Sequence, residues 1–458
     1  MADPRQQPPG GSAAAEPRPL TTLGFAAAAT VVGLIARLWL RAHQPPLVWN
    51  DSADYIAASR TPLWSLDRLA GPRPILTPLL LSVAGRDLRR LIDLQTLSAS
   101  IAWGLLAAAV AACLPGTIRR VVAAVVVVAF SLTWPISMWD QQILTESPAL
   151  SALALTAAAG IWFARSRTAI HGATLVGAAT LLVIARDSHA IPVALVGLGL
   201  VLVGWAGWAK PRQTVALTGA YLVAMSFLVV GMAQHGRREV LPTEHVFEVR
   251  VLPYPERVAW FSAHGMPDGP SLDAIPEYTL VDRAPYTPAE TNPLFGRWRA
   301  WVAAHGRSAL VAYVATHPGY LWSEPRHHPE RVFNNGDGVA GYRPLITNEL
   351  PGLAPVLYPS IAIVVAVGLA SLILLATLLR ASWGPTSLVG LLLAATAAPH
   401  ALVVWHSDGM ESARHLLIPS VQLRLGVLLL ALSLLRGTGR SRPVRSPDHQ
   451  PAPARPGD

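Results

Sequence analysis

Ionisable and hydrogen-bonding side chains gather at four places along this chain. They are Trp49-Asn50-Asp51-Ser52-Ala53-Asp54-Tyr55, Asp140-Gln141-Gln142-Ile143-Leu144-Thr145-Glu146-Ser147, Arg186-Asp187-Ser188-His189, and His406-Ser407-Asp408-Gly409-Met410-Glu411-Ser412-Ala413-Arg414-His415. Such mixtures suit two chemical tasks. A carboxylate accepts a proton from a weak nucleophile such as a hydroxyl. Arginine and histidine bind an anion such as phosphate, arginine through a planar fork of donors. The clusters therefore supply carboxylates, Asp51 and Asp54 among them, for base or ligand work. Arg414, His415 and Arg186 are candidate phosphate ligands, with Asp187 to orient Arg186, and Glu146 is placed to bind hydroxyls or orient an arginine.

These clusters must be positioned by membrane helices. Of the 458 residues, 52% are hydrophobic and 14% charged, and mean hydropathy is +0.40. Soluble chains carry about 25% charged residues, so a water-facing surface cannot be covered here. An ordinary soluble enzyme, a disulfide-stapled secreted domain and a disordered chain are excluded. One cysteine, Cys113, precludes an intrachain disulfide and a cysteine-based metal site. A span needs ~20 apolar residues. Ten runs qualify: 20–40, 92–114, 118–135, 147–164, 169–185, 190–208, 213–232, 354–379, 386–405 and 414–435. The stretch 74–84 is apolar but too short, which predicts a re-entrant or interfacial segment.

The fold class expected is an all-α polytopic membrane protein. A tail (1–19) precedes an N-terminal module (20–232) whose first outer loop is 43–91. A cap (233–353), a C-terminal module (354–436) and a basic tail (437–458) follow. Both tails are rich in proline and predict disorder. Within the cap, 255–264 and 296–316 read as amphipathic helices. Net charge is +9, and Lys210 is the only lysine. Arg119, Arg120, Arg165, Arg167, Lys210, Arg212 and Arg380 fall in alternate short loops that hold no acid. The positive-inside rule makes these loops and both termini cytoplasmic, and all four mixed clusters then lie on the outer face. Trp162, Trp205, Trp208 and Trp383 would mark the inner interface, and Trp49, Trp134, Trp139 and Trp405 the outer one.

The first cluster, read as Trp49-Asn50-Asp51-Ser52-x-x-Tyr55 followed by Arg73-Pro74-x-x-x-Pro78, resembles the signature region of the GT-C integral-membrane glycosyltransferases. Relatives in that superfamily include protein O-mannosyltransferases, lipid A aminoarabinose transferases, and actinobacterial envelope arabinosyl- and mannosyltransferases. The resemblance extends to Gln95, to Leu144-Thr145-Glu146-Ser147, to Ala185-Arg186-Asp187, and to Asp408-x-x-Glu411-x-x-Arg414-His415. It covers most of the chain through short, degenerate motifs. It implies an inverting hexosyl- or pentosyltransferase that takes sugar from a polyprenyl-phosphate carrier to an acceptor hydroxyl on the extracytoplasmic face. Asp51 would be the base, with Asp54 as the second acid; the departure from the common Asp-Glu pair leaves the choice between them open. Arg414, His415, Arg186, Asp187, Glu146, Glu411, Asp408 and Tyr55 would bind the donor's phosphate and sugar. No cofactor and no metal are implied. The partners are membrane lipid, the lipid-linked donor and a glycan, lipid or protein acceptor, with no nucleic acid.

Plainer roles stand beside these. Asp51 or Asp54 would cap a helix, Glu146 would sit at a helix start, Arg186–Asp187 would form an interfacial ion pair, and Arg37, Arg414 and His415 would snorkel. His327 and His328, near Glu324, Glu330 and Asp337, match no zinc spacing. A transporter or flippase of a lipid-linked sugar or other anion is the alternative function. Transporters carry polar groups near the bilayer midplane, whereas here they sit at span ends. A non-catalytic envelope scaffold would not need the mixed clusters at all.

Overall fold

The computed structural model describes residues 19–42, 44–62, 65–267, 296–327, 332–333, 350, 352–378, 383–409 and 412–436. Both tails, 1–18 and 437–458, lie outside the described residues, as does much of the expected cap. The described chain is helical, without a strand; Leu47 and Gln142 form an isolated bridge.

The helices that frame the bundle are α1 (Pro19–Leu40), α2 (Asn50–Ala58), α3 (Leu76–Val83), α4 (Leu88–Ala112), α5 (Thr117–Ser131), α6 (Glu146–Ser166), α7 (Ala169–Ala185), α8 (Ala190–Trp205) and α9 (Arg212–His235). Next come α10 (Val240–Arg250), α11 (Pro255–Ala263), α12 (Gly296–Trp301), α13 (Arg307–Thr316) and α14 (Tyr320–His327), then α15 (Ile361–Leu378), α16 (Pro385–Ser407) and α17 (Leu417–Ser433). The amphipathic stretches expected in the cap are α11 and, joined by the π-helical turn Val302–Gly306, α12 and α13. They close on a small core of Phe247, Phe261, Trp298 and Tyr313.

Every run read as a span falls on helix, but the described residues hold seven helices long and apolar enough to cross a membrane, not ten. An eighth would be α5 with Trp134–Gln141, bent by 59°. The bend follows Thr133 and Trp134-Pro135, because a proline cannot donate into the preceding turn. Helix α7 has 17 residues, stopped by the extended backbone of Arg186. At 1.5 Å per residue that is roughly 25 Å, short of the ~30 Å hydrocarbon core. The run 354–379 is divided at Tyr358-Pro359, leaving α15 with 18 residues. Hydropathy alone counts apolar length and misses these interruptions.

Apolar side chains face outward as well as inward. Ile118, Val125, Leu217, Phe227, Leu369 and Ile373 are exposed on span-like helices, the pattern lipid rewards and water does not. Association between such helices relies on close packing. Gly197 on α8 faces Gly219 on α9, and a Cβ on either would come within 2.8 Å of the other's carbonyl. Gly390 on α16 and Gly426 on α17 repeat the device. Burial corrects the tryptophan expectation at two positions. Trp205 and Trp208 are exposed, but Trp139 and Trp405 are buried. Trp139 donates to the Pro135 carbonyl, and Trp405 packs under Arg250. Both belong to the protein interior and not to an interfacial belt.

Candidate active site

Helices α4, α6, α16 and α17 pack so that the start of α6, the end of α16 and the start of α17 share one end of the bundle. Onto this end folds α2, which begins at Asn50. Trp49 has extended backbone, and its N–H donates to Ser52 Oγ, which in turn donates to the Ile143 carbonyl. This double tie fixes the first turn of α2, with Asp51 on it, against the 140–147 segment. Beside it, the turn Ser412–His415 between α16 and α17 carries Arg414.

The first, second, third and fourth clusters therefore meet. Arg414 Nη2 donates to Asp51 Oδ2 at 2.6 Å, and Arg414 Nε lies 3.2 Å from Glu146 Oε1. Arg186 Nη1 donates to the same Glu146 oxygen at 3.2 Å. On the other side, Arg73 Nη2 reaches Asp51 Oδ1 at 2.8 Å and Asp54 Oδ2 at 2.7 Å. The result is one continuous ionic chain, Asp54–Arg73–Asp51–Arg414–Glu146–Arg186, in which three acids balance three arginines. Glu146 is fully buried and its Oε2 has no hydrogen-bond partner. Tyr55 is buried with the Arg73 guanidinium 5.5 Å from its ring centre.

The field inside this chain is strong. Burial alone would raise the Asp51 carboxyl, but Arg414 and Arg73 outweigh it and hold its pKa at about 2. Burial, with help from Asp51 and Glu146, pushes the Tyr55 phenol up to about 12, so it stays a neutral donor. Asp408 is also buried, which would raise it; His415 and His245 pull it well below the usual carboxylate range. His415 Nδ1 pairs closely with Asp408 Oδ2, and its Nε2 lies 3.3 Å from Arg414 Nη2. Asp408 and His415 thus brace Arg414 from behind.

Two expected roles change. Asp187 does not orient Arg186; it accepts from Arg238 Nη1 at 2.8 Å. Arg186 has extended backbone (φ −161°, ψ 124°), which sends successive side chains to opposite sides. Arg37 does not snorkel; it is buried and pairs with Asp140, which also accepts from Ser147 Oγ at 2.7 Å. The second cluster is thereby divided, with Asp140 facing α1 and Glu146 facing Arg414. Glu411, His328, Glu330 and Asp337 lie outside the described residues, and Glu324 pairs with Arg257.

Sequence reasoning missed the roles of three residues. Arg73 stands in the quoted Arg73-Pro74 motif without a task, and it proves to be the link between Asp51 and Asp54. Arg238 follows α9 directly and also donates to the Leu69 and Gly71 carbonyls, at 2.8 and 2.6 Å; an arginine just beyond a span was its only signal. His245 lies 3.9 Å from Asp408 in a region with no distinguishing pattern. No protein-family model matches the chain, and no curated protein matches it.

Proposed function

We propose that this membrane protein is a GT-C-like glycosyltransferase that moves a sugar from a polyprenyl-phosphate carrier to an acceptor hydroxyl, with inversion. The observation that carries this reading is the Asp51 carboxylate held between two guanidiniums, Arg73 and Arg414. Resting, the acids occupy the arginines. An incoming carrier phosphate competes for the Arg414 and Arg73 donors, and Asp51 is released. That exchange meets a chemical need. A carboxyl with a pKa of about 2 is ionised but weakly basic, and a general base works best nearer the operating pH. Phosphate binding removes the positive field, so Asp51 becomes more basic only when the donor is in place. It then takes the acceptor proton as the hydroxyl oxygen attacks the anomeric carbon, and the carrier phosphate leaves with its charge met by Arg414, braced by His415.

Asp54 is more exposed than Asp51 and touches the chain only through Arg73. This favours Asp51 as the base and gives Asp54 the task of aligning Arg73. Glu146 offsets the like charges of Arg414 and Arg186, which converge on its Oε1, and Tyr55 offers a neutral hydroxyl. The site faces the extracytoplasmic side, with both termini cytoplasmic, as the arginine distribution implies. The test is genetic and chemical together. A strain lacking the gene should accumulate a lipid-linked or truncated glycan precursor, cleared by the wild-type gene and not by Asp51→Asn. An unchanged set of envelope glycans and carrier lipids in the deletion strain counts against the proposal.

A further inference from the structure

The ionic chain at the site has two ends, Asp54–Arg73 and Arg186, and one residue outside the chain reaches both. Arg238 lies just beyond α9, and only 7% of its side chain is exposed. Its guanidinium donates through Nε to the Gly71 carbonyl at 2.6 Å, through Nη2 to the Leu69 carbonyl at 2.8 Å, and through Nη1 to Asp187 Oδ1 at 2.8 Å. Gly71 is separated from Arg73 only by Pro72, whose ring restricts the backbone. Asp187 follows Arg186 directly. One planar group thus connects the root of Arg73 to the root of Arg186, and the open chain Asp54–Arg73–Asp51–Arg414–Glu146–Arg186 is closed from behind.

Contacts on both sides stiffen this tie. Gly236 lies against the same loop, and a Cβ there would come within 2.3 Å of the Ala70 carbonyl and 2.5 Å of the Gly71 carbonyl, so the approach needs glycine. On the other side the Arg186 carbonyl accepts from the His189 N–H at 3.1 Å, and Ser188 Oγ lies 3.3 Å from His400 Nε2 on α16. The pairing also sorts the charges. Asp187, next to Arg186 in sequence, is occupied by Arg238, which leaves the Arg186 guanidinium to Glu146. We infer that Arg238 is a positioning residue that fixes the spacing of Arg73 and Arg186, so that the carrier phosphate meets guanidiniums already in place. The inference rests on reading this chain as the donor-phosphate site. When phosphate takes Arg73 and Arg414 from Asp51, the link from the first loop to the Ser412–His415 turn is broken, and the Arg238 tie keeps Arg73 facing the other arginines. Donors held in advance lose less conformational freedom on binding.

Two variants loosen the tie by different routes. Arg238→Gln removes the forked donors, and Gly236→Ala pushes the Ala70–Gly71 backbone away with no change of charge. Purified full-length protein in detergent is treated with phenylglyoxal, and its arginine adducts are followed by mass spectrometry. Arg73 should react about threefold faster or more in both variants. Arg41, paired with Asp93 and of similar side-chain exposure (20% against 24% for Arg73), is the internal reference and should not change. In glycan transfer, KM for the lipid-linked donor should rise about tenfold and KM for the acceptor less than about twofold. A variant that is only less stable loses kcat and keeps both KM values. Unchanged labelling of Arg73 in both variants overturns the inference, as does an equal rise at Arg41 or a loss confined to kcat. The labelling needs no substrate. A wild-type protein that binds no short-chain prenyl phosphate therefore refutes the glycosyltransferase reading, while Arg73 labelling still decides whether Arg238 holds Arg73. If Arg238→Gln does not fold, Gly236→Ala decides alone.

Discussion

Replacing Asp51 by asparagine separates the two tasks assigned to it, because the variant should bind the carrier phosphate more tightly while losing turnover. In the resting site the arginines lower Asp51 from the ordinary 3.8 to about 2 against the opposing effect of burial. At about 1.4 kcal/mol per pKa unit that is ~2 kcal/mol of net attraction. Arg414 and Arg73 share it, so freeing Arg414 should strengthen its hold on a phosphate by roughly 1 kcal/mol, about fivefold in Kd. Loss of a general base typically costs about 10²- to 10⁴-fold in rate. Carrier affinity is measured with a short-chain prenyl phosphate by calorimetry in detergent, and turnover by glycan transfer in membranes of the deletion strain. Asp54→Asn is the control; its exposed side chain predicts a change below about threefold in affinity and a smaller loss of rate. An Asp51→Asn protein that binds the carrier more weakly than wild type, or that keeps more than about a tenth of the turnover, refutes the exchange of partners at Arg414.

Further expectations concern pH, the buried carboxylates and the helix contacts. The acid limb of kcat/KM, set by the free enzyme, should fall near pH 2, and that of kcat should lie higher because bound phosphate weakens the arginine field; coincident limbs count against the exchange. Because Asp51 is lowered in the folded protein, its contribution to stability is full above pH 3.8 and lost as pH falls through about 2. Unfolding followed from pH 5 downward should show that loss in wild type and not in Asp51→Asn. Glu146→Gln removes the shared partner of two arginines at a fully buried position and should cost about 3 kcal/mol in chemical unfolding, with a smaller effect once Arg186 is also replaced. Gly390→Leu should separate α16 from α17 and lower the thermal midpoint by several degrees, whereas the same change at Gly199, which has open space around it, should not.

The all-helical membrane architecture was legible in composition and run length, because lipid requires apolar surface and internally satisfied backbone. Each of the ten apolar runs falls on helix among the described residues, but only seven helices are long and apolar enough to cross a membrane. Their interruptions were harder to read, since Pro135, Pro359 and the extended Arg186 act on backbone geometry without altering hydropathy. The catalytic candidates Asp51, Glu146, Arg186 and Arg414 were also visible one by one, as ionisable groups at span ends. What the sequence could not show was who pairs with whom. Asp140 and Glu146 are six positions apart and face different arginines, while Asp51 and Arg414 are separated by most of the chain and touch. Arg37, Arg73 and Arg238 acquired partners only through packing. Patterns of residue type report the local cost of burying a charge, and that cost is the same wherever the partner comes from. The partner itself is chosen by how α2, α6, α16 and the Ser412–His415 turn pack together, a consequence of three-dimensional contact that no local spacing encodes.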